Sequence, residues 1–179
     1  QDHINLLINQ LSDFDDDVKN TARMAILSLG ARHIDALTSC LESGNDVSLK
    51  KDLIEILAGI GDPAAIPAVM KTLEDADECV RETSARSLGL FRSRFAVDCL
   101  IEHLSDSSGR VRAACASSIG ALKAVKATRN LLRGLEDDFV EAREAASEAL
   151  GRIGTTEAIR HVGALLKHFS PAEQHGVDP

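Results

Sequence analysis

The fold of this chain is decided by the stretch AREAASEALGRIG, residues 142–154. Moving this window back by 31 residues places Arg143 on Arg112, and further steps of the same length reach other bases. The apolar residues recur in the same way. The positions related to Leu150 are Ile119, Leu88, Leu57 and Ile26. A fixed period of this length indicates an array of stacked structural repeats.

Each unit of this array reads as two helices joined by an acidic turn. Apolar residues recur at helical spacing in both halves of a unit, as they do at Ile66, Val69, Met70 and Leu73. A helix pair of this length cannot bury its own apolar stripe, so consecutive pairs stack over one continuous core. We therefore predict an all-α fold, a right-handed α–α superhelix of about eleven helices in five and a half antiparallel pairs.

The repeats make residues 1–170 one elongated domain. Their predicted bounds are about 3–32, 33–63, 64–94, 95–125 and 126–156, with a partial repeat at 157–170. Residues 171–179 read as a tail or as a truncated next repeat, because Ser170 and Glu173 are spaced as in a capped helix start but no apolar run follows. We expect an array that belongs to a longer protein.

Composition limits the classes of partner. The net charge of −8 argues against non-specific nucleic-acid binding, which needs a basic face. No apolar run is long enough to span a bilayer. The four cysteines lack metal-ligand spacing and are interpreted as reduced thiols. We expect a cytoplasmic monomer, or a fragment of a larger multidomain chain, that binds neither nucleic acid nor a membrane.

The repeated pattern Val-Arg-x-x-Ala-Ala-x-Ala-Leu-Gly-x-Ile-Gly resembles the short HEAT repeats, and most of all those named after phycobilin lyases. The matching stretches are 142–154, 111–122, 80–90 and 61–67. The resemblance implies that the second helix of each pair lines the concave face of a solenoid. It says little about function, because the family hosts many unrelated roles.

Two repeats depart from this pattern at the residue that ends the second helix. Arg92 and Lys123 stand where the pattern has glycine. A third departure is in the second repeat, where Leu53 and Ile54 replace small residues. These departures bear on local helix ends and packing and leave the predicted fold unchanged.

A basic residue recurs at one place in five units and forms a predicted structural ladder. Its members are Lys19, Lys50, Arg81, Arg112 and Arg143. Acids precede them in the turns, at Asp15, Asp46, Asp77, Asp106 and Asp137. In a stack, each base can reach acids and carbonyls of its own or the neighbouring turn, so we interpret the ladder as a support for stacking. The alternative is a basic strip for an acidic ligand.

A second basic group is predicted on the edge formed by the turns that follow the second helices. It consists of Arg92, Arg94, Lys123 and Lys126. This basic edge is either a docking patch for an acidic partner or a solvated rim. The rim is favoured, because exposed charges need no further explanation.

The candidate partner-binding residues are the positions of each second helix that the core does not need. Small or apolar members predicted at the centre of the concave face are Leu90, Ala113, Ser117 and Ala121. Charged members predicted at its rim are Glu82, Arg86, Glu144, Glu148 and Arg152. Exposed apolar patches often mark interaction sites. The alternative is that a slight helix rotation buries the central four.

No catalytic constellation, metal-ligand spacing or cofactor motif is found in the sequence. We expect a non-enzymatic protein–protein interaction scaffold that binds a protein partner on its concave surface, with no cofactor and no metal. The family resemblance implies an alternative, a phycobilin lyase subunit or a tetrapyrrole chaperone-like protein. A second alternative is a structural spacer module of a larger multidomain protein.

Overall fold

A computed structural model describes residues 2–154 together with residues 156 and 160. The predicted tail at 171–179 lies outside the described residues, as does the partial repeat at 157–170 apart from Arg160.

The described residues form an all-α solenoid, as predicted. Ten α-helices lie within residues 2–154, and they make five pairs, one for each complete predicted repeat. The first helices of the pairs are α1 (Asp2–Gln10), α3 (Ile34–Ser43), α5 (Ile66–Lys71), α7 (Val97–Glu102) and α9 (Thr128–Gly134). The second helices are α2 (Asp16–Leu29), α4 (Val47–Ile60), α6 (Glu78–Leu90), α8 (Gly109–Ala121) and α10 (Val140–Ile153). No strand occurs in this part of the chain.

One core runs through all five pairs. It is built from the apolar stripes of both helices of each pair and extends from Ile4 to Leu150. Leu53 and Ile54, the large residues of the second repeat, are fully buried in it. Because each pair contributes only part of this core, a single pair would leave its stripe exposed to water.

Consecutive second helices approach each other more closely than consecutive first helices do. An added Cβ atom at Gly89 would lie 2.6 Å from the Ser118 hydroxyl, and one at Gly120 would lie 2.7 Å from the Cα atom of Ala149. The Ser118 hydroxyl donates a hydrogen bond of 2.7 Å to the Ala85 carbonyl oxygen across the same contact. The more closely packed row is the inner one in a curved array, so the second helices form the concave row.

The closeness of the second helices increases along the chain. The α2–α4 contact is the least extensive, and the α8–α10 contact is the most extensive. The side chain at one register position of the second helix becomes smaller along the chain. This residue is Leu27 in α2, Ala58 in α4, Gly89 in α6 and Gly120 in α8. Smaller side chains let the helix backbones come closer, which accounts for the trend.

The basic ladder connects neighbouring repeats through paired contacts. Arg81 donates from Nε and Nη2 to the carboxylate of Asp106, at 2.8 and 2.9 Å. Arg112 contacts Asp137 in the same way, at 2.7 and 2.6 Å. Lys50 donates to Asp75 at 2.6 Å. Each of these acids lies 25 residues after its base, in the turn of the next repeat.

The arginines of the ladder also bind the turn of their own repeat. Nη1 of Arg81 donates to the carbonyl oxygen of Asp75 at 3.0 Å. In the same way, Nη1 of Arg112 donates to the carbonyl oxygen of Asp106 at 2.9 Å. Arg143 repeats this contact with Asp137 at 2.7 Å. One side chain therefore fixes the turn before its own helix to the turn of the next repeat.

The first rung of the ladder differs from the others. The residue 25 positions after Lys19 is Gly44, which has no carboxylate. Lys19 instead contacts Asp16 of its own helix, at 3.4 Å. Arg23 joins the first two repeats in another way, through ion pairs with Asp52 and Glu55 of α4.

The acids beside the ladder divide into two groups. From sequence alone, Asp15, Asp46 and Asp77 belong with Asp106 and Asp137. The structure corrects this, because the first three cap second helices. Their side chains accept from backbone N–H groups of the first turn, at 2.9 Å in Asp15, 2.9 Å in Asp46 and 2.8 Å in Asp77. The acids that meet a ladder base of the preceding repeat are Asp75, Asp106 and Asp137, and Asp138 also reaches Arg112.

The two basic residues that replace glycine adopt a left-handed backbone conformation. Gly61 and Gly154 have φ values of 72° and 65° at the ends of α4 and α10. Arg92 and Lys123, in the same register, have φ values of 53° and 50°. The chain therefore keeps the glycine-type turn in both repeats, with α6 and α8 ending at Leu90 and Ala121. A side chain with a Cβ atom is strained in this conformation.

Glycine at position 120 is expected to be required for close stacking. Replacing Gly120→Ala should lower the free energy of unfolding by about 1 to 3 kcal/mol, because the new Cβ atom overlaps the backbone of α10. Gly151 has the same register, and an added Cβ atom there meets nothing within 4 Å among the described residues. Gly151→Ala is the matched control and should be neutral or stabilising in urea denaturation. Equal destabilisation by both changes would contradict this prediction.

The ladder carboxylates are expected to make stability depend on acid pH. The hydrogen bonds from Arg112, above all, lower the pKa of Asp137 to about 2. In Asp106, burial raises the pKa, but the hydrogen bonds from Arg81 and the Ser108 N–H outweigh it and the pKa is lowered. A lowered native pKa contributes stability above the unfolded value, near 4, and the contribution is lost as pH falls toward about 2.

Asp137→Asn should therefore lower the free energy of unfolding by about 2 kcal/mol at pH 7 and by much less at about pH 2.5. Asp98→Asn removes an exposed ion pair with Lys126 and is the control, with an expected loss below about 1 kcal/mol at pH 7. Urea denaturation at both pH values measures these differences. A loss at Asp137 that stays constant with pH would show that the carboxylate charge is not responsible.

Relief of backbone strain is expected to stabilise the protein. Arg92→Gly and Lys123→Gly should each raise the free energy of unfolding by about 0.5 to 1 kcal/mol, since glycine adopts positive φ without a steric cost. Arg86→Gly removes a basic side chain from the middle of α6 and should lower the free energy of unfolding by about 1 kcal/mol. Thermal and urea unfolding of the three variants provide the comparison. Destabilisation by Arg92→Gly would mean that its side chain makes contacts that outweigh the strain.

Candidate functional site

The concave row presents the predicted partner-binding residues at its surface. On α6, Arg86 and Leu90 are exposed and Glu82 is half-buried. On α8, Ser117 and Ala121 are exposed and Ala113 is half-buried. On α10, all three predicted residues, Glu144, Glu148 and Arg152, are exposed. Of the four residues predicted at the centre of the concave face, only Ala113 is partly buried, so the alternative of burial by helix rotation does not hold for the other three.

Leu90 is the most exposed apolar side chain of these candidates, with 69% of its surface accessible to solvent. It lies near the C-terminal end of α6, one turn after Arg86. The fold does not use this side chain in its core, because the buried face of α6 is formed by other residues. An apolar side chain of this kind can contact a partner without any rearrangement of the array.

A groove of about 520 Å³ lies on the concave row beside Leu90. It contains the predicted residues Glu82, Arg86 and Leu90 of α6. The predicted residues of α10, together with Ala113, Ser117 and Ala121 of α8, are not among the residues that line it. The structure therefore brings part of the predicted set together and leaves the rest on neighbouring helices.

Other residues of this groove were not among the predicted set. Lys51 and Glu55 line it from α4, and Arg110 lines it from the start of α8. Lys51 and Glu55 occupy the same register as Glu82 and Arg86, so their repeat positions carry a signal for them. Arg110 precedes the ladder residue Arg112 by two positions, and its place in the groove depends on how α8 crosses α6.

The charges of the groove are partly paired with one another. Arg86 donates to Glu82 at 2.5 Å, within one helix. Glu55 accepts from Arg23 at 2.7 Å. Within residues 2–154, Lys51 and Arg110 have no carboxylate within 4.0 Å. As far as the described residues show, the groove thus offers to a binding partner two cations that no carboxylate pairs with and one exposed leucine.

The basic edge lies at the turns that follow α6 and α8. Arg92, Arg94, Lys123 and Lys126 are all exposed there. Lys126 pairs with Asp98 of α7 at 2.5 Å. For the other three, the described part of the chain supplies no carboxylate within 4.0 Å. The edge therefore carries unpaired positive charge on a protein that is acidic overall.

The ladder residues have little capacity left for a ligand. The side chains of Arg81 and Arg112 are only 13% and 15% exposed, and their nitrogen atoms are engaged by carboxylates and carbonyl groups. Their geometry is that of a structural contact. The alternative of a basic strip for an acidic ligand has no support in these contacts.

Among the described residues, no group of three or more histidine, cysteine or acidic side chains is arranged to hold a metal ion. Burial raises the pKa of the Cys40, Cys99 and Cys115 thiols, which keeps them protonated. None of the helices described is both long enough and apolar enough to cross a membrane.

Solved structures with the same architecture come from proteins with different roles. The complex of CpcE and CpcF of phycocyanin lyase from Nostoc sp. PCC7120 has a TM-score of 0.69 and 23% identity, over 92% of this chain and 69% of that chain. A designed armadillo repeat protein in complex with the peptide (KR)4 has a TM-score of 0.59 and 19% identity, over 96% and 93%. The Kap95:Nup1 complex has a TM-score of 0.63 and 17% identity, over 92% of this chain and 25% of the other.

Because all three identities are low, these similarities establish a shared fold and nothing about function. No curated protein is similar enough in sequence to count as a match. A family model described as HEAT repeats matches residues 34–120 and 97–173, which together span most of the chain. The protein is therefore a member of the HEAT repeat family.

Proposed function

We propose that this protein is a non-enzymatic scaffold that binds a partner protein through its concave row of second helices. The observation that carries the proposal is the groove of about 520 Å³ in which Leu90 is exposed beside Arg86, Lys51 and Arg110. An apolar anchor within a ring of charge is the usual composition of a protein-binding surface.

The rigidity of the array favours this role. The groove is lined by three helices that belong to one continuous core, so its shape is present before a partner arrives. A preformed surface loses less conformational entropy on binding than a flexible one. The charged groups around it would then select the partner and speed its encounter more than they add affinity.

The similar structures support the same proposal by analogy. A designed armadillo repeat protein was solved with a bound peptide, and Kap95 was solved with Nup1. Both are solenoids that hold another polypeptide. For this chain, the free cations Lys51 and Arg110 suggest a partner segment that carries carboxylates next to an apolar side chain.

Leu90 is the position at which this proposal is most directly tested. In a pull-down from source-cell lysate, the wild-type chain should capture a partner that Leu90→Glu loses, because a charge then occupies the apolar centre of the groove. Leu6→Glu is the matched control, since Leu6 is 60% exposed on the first helix α1, away from the concave row. It should capture as much partner as the wild type does.

The purified partner should then bind the Leu90→Glu variant at least tenfold more weakly, about 1.4 kcal/mol, by calorimetry. Ala121→Arg tests whether the surface extends to α8. Thermal unfolding of every variant shows whether a loss of binding reflects a loss of folding. Equal capture by wild type and Leu90→Glu would contradict the proposed surface, and an empty wild-type lane would contradict the scaffold role.

Tetrapyrrole binding is the alternative that the same material can test. The likeness to phycocyanin lyase rests on fold, since the sequence identity is 23%. A titration with a bilin, followed by visible absorption, is sufficient. A spectral change on mixing with the wild type, together with an empty pull-down, would favour the lyase or chaperone alternative over the scaffold.

A further inference from the structure

A second groove lies on the outer face of the array, away from the concave row. It has a volume of about 920 Å³ and runs along α5 beside the turn that follows α6. Its walls are mainly apolar and include Ile66, Met70, Phe91 and Phe95. Arg92 of the basic edge stands at its rim. We call this feature the edge groove.

Phe95 is an aromatic side chain that the fold does not require. Its surface is 84% exposed, although it lines the edge groove. The corresponding residues of the neighbouring repeats are Ala64 and Lys126, and both are exposed as well. Because alanine and lysine serve equally well at this position of the repeat, stacking cannot explain the phenylalanine.

Arg92 is a second residue that the fold does not require. Glycine occupies its register position in three other repeats, at Gly30, Gly61 and Gly154, and the arginine is held at a φ of 53°. Strained side chains of this kind are retained where they have a function. Phe95 and Arg92 lie three residues apart at the same groove, so two departures from the repeat coincide there.

Two cations of the basic edge stand beside the edge groove without a paired acid among the described residues. Arg92 and Arg94 have no carboxylate within 4.0 Å among residues 2–154. On the far wall, Lys71 pairs with Glu42 at 2.5 Å, and the Glu74 carboxylate lies 3.3 Å from Nε2 of His103. An occupant of this groove should therefore combine an apolar side chain with carboxylates.

The chain itself contains a segment with this chemistry. The turn that leads from α1 into the first residues of α2 reads Ser12-Asp13-Phe14-Asp15-Asp16-Asp17, and every one of these residues is exposed. Phe14 is completely exposed. Its register positions in the other repeats are Asn45, Ala76, Ser107 and Asp138. The repeat therefore does not require an aromatic side chain at this place either.

We propose that the acidic turn 12–17 of one molecule docks into the edge groove of a second copy. Phe14 then packs against Phe95 and Met70, and the turn carboxylates meet Arg92 and Arg94. Within one molecule the turn lies in the first repeat and the groove in the third, in one continuous stack, so the contact joins two molecules. Turn and groove are different surfaces, and the association is head-to-tail.

The contact is expected to be weak. A six-residue turn in one groove buries less surface than a stable interface does, and the net charge of −8 repels the copies at long range. The protein is monomeric when dilute and associates at high concentration. This self-association is independent of the concave row, so failure of one proposal leaves the other standing.

The two methionines of the chain report on the two surfaces separately. Met70 lines the edge groove, whereas Met24 is exposed on α2 of the concave row. In protein labelled with ¹³C at the methionine methyl groups, the Met70 signal should shift as the concentration rises to about 1 mM, and the Met24 signal should not. Phe14→Ser should abolish the shift.

A mixing experiment isolates the proposed contact. Labelled Phe14→Ser protein keeps the groove and lacks the aromatic side chain of the turn, while unlabelled Phe95→Ala protein keeps the turn and has an altered groove. Neither should associate alone, but adding the second to the first should shift Met70. Arg92→Gly in the labelled protein should weaken this binding at least about tenfold without loss of stability, since glycine is the residue of three other repeats at this position.

Three results would overturn the proposal. The first is a Met70 signal that does not change with concentration or on mixing. The second is a shift that persists when both copies carry Phe14→Ser, which would assign another occupant to the groove. The third is a shift of Met70 caused by a single-stranded oligonucleotide and not by the second copy, which would assign phosphate as the ligand of the basic edge.

Discussion

The close approach of consecutive second helices sets the geometry of the whole array. Gly89 and Gly120 remove the side chains that would separate α6, α8 and α10, and the helix backbones come together over Ser118 and Ala149. This spacing brings Arg81 and Arg112 within reach of the aspartate in the next turn. It also draws the second helices into the inner row, which leaves the first helices to diverge on the outside.

The polar contacts act within the limits that this packing sets. A half-buried arginine is tolerated because its nitrogen atoms find both a carboxylate and backbone carbonyl groups, as Arg81 and Arg112 do. These contacts contribute to register as much as to stability, since each one joins defined residues of two turns. The same residues are unavailable to ligands, so binding must use side chains outside the ladder.

The sequence was sufficient for the architecture and only partly sufficient for the surfaces. The 31-residue period fixes the helix pairs and the buried face of each helix, because register and burial follow directly from it. It also placed Leu90 and Arg86 at the surface. The period alone does not say which repeat positions share a groove. Arg110 was missed because its position depends on how two helices cross.

Two further features show the same limit. Asp77 and Asp106 look alike in sequence, yet one caps a helix and the other meets an arginine, because they differ by two residues in register. At the positions of Phe14 and Phe95, the other repeats have small or polar residues. Comparing the repeats in this way shows that stacking does not need an aromatic side chain at either position. That comparison is possible from sequence, but it gains meaning only when a groove and its charges are known.

The unequal spacing of the second helices has a mechanical consequence. The junction between α2 and α4 has the least helix contact, and the ladder rung there is missing because Gly44 replaces an aspartate. In a linear array each junction bears strain separately, so bending concentrates at the weakest one. Among the five described helix pairs, the first is therefore the one that bends most easily against its neighbour, and it carries the turn 12–17.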